Sequence, residues 1–178
     1  MERVMTLPEP PRPGSILGRI RRGGRDASAE AVIVAPVQTV WNLVSDVEQV
    51  GRWWPRAIDG LVVRDDDSGR EQVVRLDWGS DEGRIRQRVV VWDPPRRYGW
   101  RVLSESAGDR PLQPLAQISV TVTIRAEGPL SRVSIAGDFL PAGARGALAV
   151  RQLARSAKRT YRIALRNLQE ALAAGPPT

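Results

Sequence analysis

The chain of 178 residues has neither histidine nor cysteine. That excludes a disulfide, a cysteine nucleophile, a Ser-His-Asp triad and a zinc site with nitrogen or sulfur ligands. Any proton transfer falls to Asp, Glu, Tyr98, Tyr161, Lys158 or water. Asp65-Asp66-Asp67-Ser68-Gly69 gathers three carboxylates. It lacks the other ligands of a calcium loop, so it reads as a hairpin turn. No metal and no cofactor is expected. Gln87 is a signal of another kind, a lone amide in the otherwise apolar row Ile85, Val89 and Val91. A buried amide left unpaired costs roughly 1–3 kcal/mol, so Gln87 calls for a protein partner, a water or a ligand.

The elements that must position these groups follow from periodicity. Ser28 to Val34 alternates and is rich in β-branched residues, which predicts a first strand. Pro36 suits the first turn of a helix, and Val37, Val40, Trp41 and Val44 follow at helical spacing. Ser45-Asp46-Val47-Glu48 has the form of a capping box, which places a second short helix ending near Gly51. Beyond residue 57 the pattern turns to period two. Segments 58–64 and 72–78, 84–92 and 97–103, and 116–125 and 132–139 form three successive hairpins around Asp65–Gly69, Asp93-Pro94-Pro95 and Glu127-Gly128-Pro129. The apolar rows Ile118, Val120, Val122 and Ile124, Ile85 to Val91, and Tyr98, Trp100 and Val102 face inward; Arg84, Arg86, Arg88, Arg97 and Arg101 face outward. Residues 144–173 then form one long helix, stopped by Gly175-Pro176-Pro177. Its apolar stripe runs through Leu153, Ala157, Tyr161, Ala164, Leu165, Leu168 and Leu172, while Arg151, Arg155, Arg159, Arg162 and Arg166 lie on another side. The expected fold is α+β: a seven-stranded antiparallel sheet curled around a long C-terminal helix, with two short helices after the first strand.

Charge divides the chain differently. Basic residues number 27 and acidic ones 20, a net +7. Residues 1–27 carry six arginines against three acids, and residues 144–178 seven bases against one acid, so the stretch between is slightly acidic. The first end, with Pro8, Pro10, Pro11 and Pro13 and the Gly23-Gly24 pair, reads as a flexible solvated leader. The domains are thus a tail over 1–27, a folded unit over 28–174 and a short tail over 175–178. The basic-apolar piece Ile16 to Arg22 leaves peripheral contact with an anionic membrane open. Nucleic acid is not an expected partner. No stretch reaches the roughly 18 apolar residues of a membrane span, and the leader lacks the apolar core of a secretory signal, so a cytoplasmic protein is expected.

Ala35-Pro36-Val37-Gln38-Thr39-Val40-Trp41, with Asp46 and Trp54-Pro55, resembles the opening motif of the START/SRPBCC superfamily, which includes birch-pollen-allergen-like proteins and polyketide cyclases/dehydrases. Trp92-Asp93-Pro94-Pro95-Arg96-Arg97-Tyr98 resembles the family's hairpin between middle strands, and the final amphipathic helix is a third match. The resemblance covers about residues 28–173 and implies the helix-grip fold, with a cavity between sheet and final helix. It implies a hydrophobic small-molecule ligand such as a lipid, a polyketide or another cyclic apolar molecule. Trp54, Trp78, Gln87, Trp100 and Tyr161 are then the candidate lining residues, with Trp41 in the core and Asn42 facing either pocket or solvent. No catalytic residue transfers by position.

Three functions stay in play. The first is a carrier or sensor of an apolar molecule. The second is a cyclase- or dehydrase-like enzyme, which would need a cavity carboxyl or tyrosine with a displaced pKa. The third is an adaptor using the basic ends on an acidic partner, with binding that falls steeply with salt.

Overall fold

The computed structural model describes residues 24–175, apart from Leu115 and the side chains of Ala144 and Arg145. The leader up to residue 23, with its basic-apolar piece, and residues 176–178 lie outside the described residues. Strand β1 (Arg25–Ile33) leads into α1 (Val37–Val44) and a 3-10 helix (Val47–Arg52). Strands β2 (Ala57–Asp66), β3 (Gly69–Asp77), β4 (Glu82–Asp93), β5 (Arg97–Ala107), β6 (Arg110–Leu112), β7 (Ala116–Glu127) and β8 (Leu130–Pro141) follow, and α2 (Gly143–Ala174) closes the chain. The sheet is antiparallel throughout, ordered β1-β8-β7-β5-β4-β3-β2, with β6 paired to β5 beside that path.

The α+β architecture is the expected one, and its departures have local causes. The seven expected strands form the main path, and among the described residues an eighth, the short β6, is added beside it because β5 runs on to Ala107 and turns at Gly108 (φ +55°). Strand β1 starts three residues before Ser28: Arg25 pairs with Phe139, and Ala27 is buried, so residues 25–27 belong to the folded unit rather than to the tail. The capping box also resolves differently. Ser45 Oγ donates back to the Trp41 carbonyl at 2.8 Å and closes α1, whereas Asp46 caps the next helix by accepting from Glu48 N at 3.0 Å. That helix is a 3-10 turn, in keeping with its six residues.

Helix α2 packs mainly across β1 and β8, not across the middle of the sheet. Val150, Ala154, Tyr161, Ala164, Leu165 and Leu168 are its buried face, and Arg151, Arg155, Arg159, Arg162 and Arg166 are exposed. The main core lies under this contact, with Val122, Val133, Ile135 and Ile124 from the sheet against Val40, Trp41 and Val44 of α1. Asn42 is on the solvent side, accepting from Gln38. Because the helix stands mainly over β1 and β8, among the described residues the half made by β3, β4 and β5 is faced by the 3-10 helix, the Trp53-Trp54 segment and one edge of α2. A space remains there.

Candidate ligand-binding cavity

That space is a cavity of about 230 Å³, bounded by the end of α1, the 3-10 helix, strands β3, β4, β5, β7 and β8, and the middle of α2. Alternation dictates which side chains enter it. Gln72, Val74 and Leu76 come from β3, and Ile85 and Gln87 from β4. Trp100 and Val102 of β5 follow the same rule, with Ser156, Ala157, Thr160 and Tyr161 opposite them on α2.

Two β-bulges break the alternation, and both change what the cavity contains. On β4, Val89 pairs with Trp100 but Val91 pairs with Gly99, so Val90 is an extra residue. Val91, expected inside, is therefore turned to the outer face, and Trp92 comes to the inner side opposite Tyr98. On β5, Gln87 pairs with Val102 but Arg86 pairs with Ser104, which makes Leu103 the extra residue. Glu105 then falls opposite Ile85 and lines the cavity; an unbroken strand would have put it on the side of Arg84 and Arg86.

One end of the cavity is aromatic. Centroids lie 5.3 Å apart for Trp53–Trp54, 5.4 Å for Trp54–Trp100, 5.4 Å for Trp100–Tyr98 and 6.0 Å for Trp54–Tyr161. The chain of rings continues through Trp92 to Trp41. These edge-on and tilted contacts are the favoured geometries of aromatic pairs, each worth about 0.5–1.5 kcal/mol beyond burial. Gly137 seats Tyr161, since a Cβ there would stand 2.0 Å from its Oη.

The polar groups are few. Gln72 Nε2 donates to Tyr98 Oη at 2.5 Å. Neither the Gln87 amide nor the Tyr161 hydroxyl has a hydrogen bond among the described residues, and the buried Trp53 Nε1–H is also unpartnered there. Burial pushes the phenols of Tyr98 and Tyr161 upward, the latter helped by the Asp138 carboxylate, so both stay neutral hydroxyls at ordinary pH. Burial likewise raises the Glu105 carboxyl.

Of the five residues singled out from sequence, Trp54, Gln87, Trp100 and Tyr161 line this space together. Trp78 does not. Strand β3 ends at Asp77, so Trp78 sits in the following turn, where alternation no longer aims it; its indole lies over Gly83, whose missing side chain makes room. Glu105, Gln72 and Thr160 were missed. Gln72 shows the same apolar-row signal as Gln87, whereas Glu105 depends on a bulge with no residue signature.

An antiparallel sheet gripping one long C-terminal helix, with an internal cavity between them, defines the helix-grip class. Residues 25–173 match the family described as polyketide cyclase/dehydrase and lipid transport, and the chain belongs to it. Solved structures agree on the fold. The Zhui aromatase/cyclase from Streptomyces sp. R1128 superposes with a TM-score of 0.67 at 19% identity, covering 86% of this chain and 99% of that one. The di-domain aromatase/cyclase BexL from the BE-7585A biosynthetic pathway gives 0.70 at 16% identity, over 85% of this chain and 48% of its own. A START superfamily protein from Mycobacterium smegmatis gives 0.58 at 15% identity, over 84% and 94%. No curated protein sequence matches. The family match supports a ligand-binding or cyclase role. Among the described residues no helix is long and apolar enough to cross a membrane.

Proposed function

We propose that the chain binds a compact, mostly apolar ring molecule between its sheet and C-terminal helix, as a carrier or sensor. One observation carries this reading: the cavity joins edge-on and tilted aromatic walls to polar groups that have no hydrogen-bond partner among the described residues, Gln87 and Tyr161. Apolar walls with a few convergent hydrogen-bonding groups are what a small-molecule site requires. The volume of about 230 Å³ lies below the usual range of roughly 300–1,000 Å³, which favours a compact guest over a full acyl chain. The expectation of a cytoplasmic protein carries over into this reading. Titration with an uncharged naphthalene probe, followed by tryptophan quenching, should saturate at one molecule per chain. Native mass spectrometry of the purified protein should show a co-purified small molecule. A protein that takes up no probe at any concentration has a filled core, and the reading fails.

A second reading, cyclisation or dehydration of the bound molecule, is favoured by Glu105, a cavity carboxyl whose pKa is raised by burial. A carboxyl poised nearer neutrality can both give and take a proton. Turnover that survives Glu105→Gln unchanged would exclude it.

A further inference from the structure

We infer that the cavity selects an aromatic molecule carrying a protonated amine at its far end, with Glu105 pairing the amine. The inference rests on the cavity being a binding site and names the class of its guest.

The argument begins with charge. The chain has 27 basic side chains, yet among the described residues none lines the cavity, and Glu105 is the one charged residue there that does. Elsewhere on the sheet, carboxylates meet arginines: Asp59 with Arg75, Glu71 with Arg86 and Arg88, Asp93 with Arg96, and Glu127 with Arg132. Glu105 has no such partner among the described residues, because the bulge at Leu103 turns it from the arginine face to the cavity. A carboxylate drawn out of water without a counter-charge is costly, and a bound cation removes that cost. An anionic guest meets repulsion and finds no cation among the described lining residues to offset it.

Spacing sets the shape of the guest. The Ile85–Glu105 pair and the Val89–Trp100 pair are four residues apart on β4, and no bulge intervenes on that strand. At 3.3–3.4 Å per residue, the two rows are about 13 Å apart. The Gln72–Gln87 pair lies between them. The aromatic end is closed, with Trp53 and Tyr161 almost fully buried, whereas Glu105 is only half-buried. A ring system therefore stacks inside on Trp54 and Trp100, and its amine reaches outward to the carboxylate at the wetter end.

The test uses three guests with one skeleton: phenylbutylamine, phenylbutanol and phenylbutyrate, titrated by tryptophan quenching into the wild type and Glu105→Gln at one neutral pH. The amine should bind at least about tenfold tighter than the carboxylate, with the alcohol between them. In Glu105→Gln the preference of amine over carboxylate should collapse to within about threefold. Wild-type binding of the carboxylate as tight as that of the amine, or a preference that survives Glu105→Gln, overturns the inference alone. Failure of the alcohol to bind overturns the cavity reading beneath it.

Discussion

The two faces of the sheet treat a glutamate in opposite ways. On the outer face, Glu71 is 2% exposed, yet it is ringed by cations. Arg86 Nε donates to it at 2.9 Å and Arg88 Nη2 at 2.5 Å, and Arg64 stands 3.9 Å away. Those hydrogen bonds hold its carboxyl below the usual range against the effect of desolvation. On the inner face, Glu105 is less buried but has no counter-charge among the described residues, and burial holds its carboxyl above the usual range. Burial alone thus does not set the protonation of a carboxyl; what replaces the lost water does. The outer acid is tied into the structure by arginines, and the inner one faces the cavity without a counter-charge among the described residues.

The comparison can be broken most severely at Gly137. Gly137→Ala places a methyl 2.0 Å from Tyr161 Oη, so the ring must leave its seat and enter the cavity. Overpacking of this kind costs about 1–3 kcal/mol, and thermal unfolding should show it together with loss of probe binding. Unchanged probe affinity would mean that Tyr161 does not border the binding space.

Next in size is Glu71→Gln, which leaves Arg64, Arg86 and Arg88 without their shared anion. The Glu71 pKa is lowered in the folded state, so its contribution is present above the unfolded carboxyl value near 4.3 and is lost as pH falls through the folded value. Melting curves should show the variant a few degrees below wild type at pH 7, with the gap closing in acid. Tyr161→Phe probes the inner face more gently. The ring and its packing stay, so stability should hold, while a guest with a carbonyl acceptor should bind about fivefold more weakly for one lost neutral hydrogen bond.

The smallest effect has the opposite sign. The Glu105 pKa is raised on folding, so its ionisation penalises the folded state as pH climbs from the unfolded value through the folded one. Glu105→Gln should therefore raise Tm slightly at pH 7, the effect being reduced by the solvent that still reaches a half-buried group. The effect should vanish only well below the unfolded carboxyl value of about 4.3, where the group is neutral in both states. A lower Tm in the variant at pH 7 would show that Glu105 has a stabilising partner after all.

Much of this architecture was legible in the residues. Alternation assigned Gln87, Trp100 and Val102 to the inner face, and helical spacing put Tyr161 opposite them, because each lies in a stretch whose period is unbroken. The reading failed where the period breaks. Val91 and Glu105 lie just past single-residue bulges, and Trp78 just past a strand end; nothing in residue type marks those points. Ser45 failed differently. A hydroxyl between two helices can serve either end, and only the closeness of the Trp41 carbonyl decides between them.

Strand β6 has three residues, two of them exposed, and buries little. It nevertheless pairs Glu105 with Leu112, Ser106 with Pro111 and Ala107 with Arg110. Without that second ladder, the end of β5 would be held from one side only, by Gly83 to Arg86 of β4. A slip of one residue there would iron out the extra Leu103, swing Ser104 into the cavity and return Glu105 to the arginines. Clamped between two neighbours, the segment cannot slide without unzipping both. The shortest strand thus acts as a register lock, deciding whether the cavity presents a carboxylate or a hydroxyl.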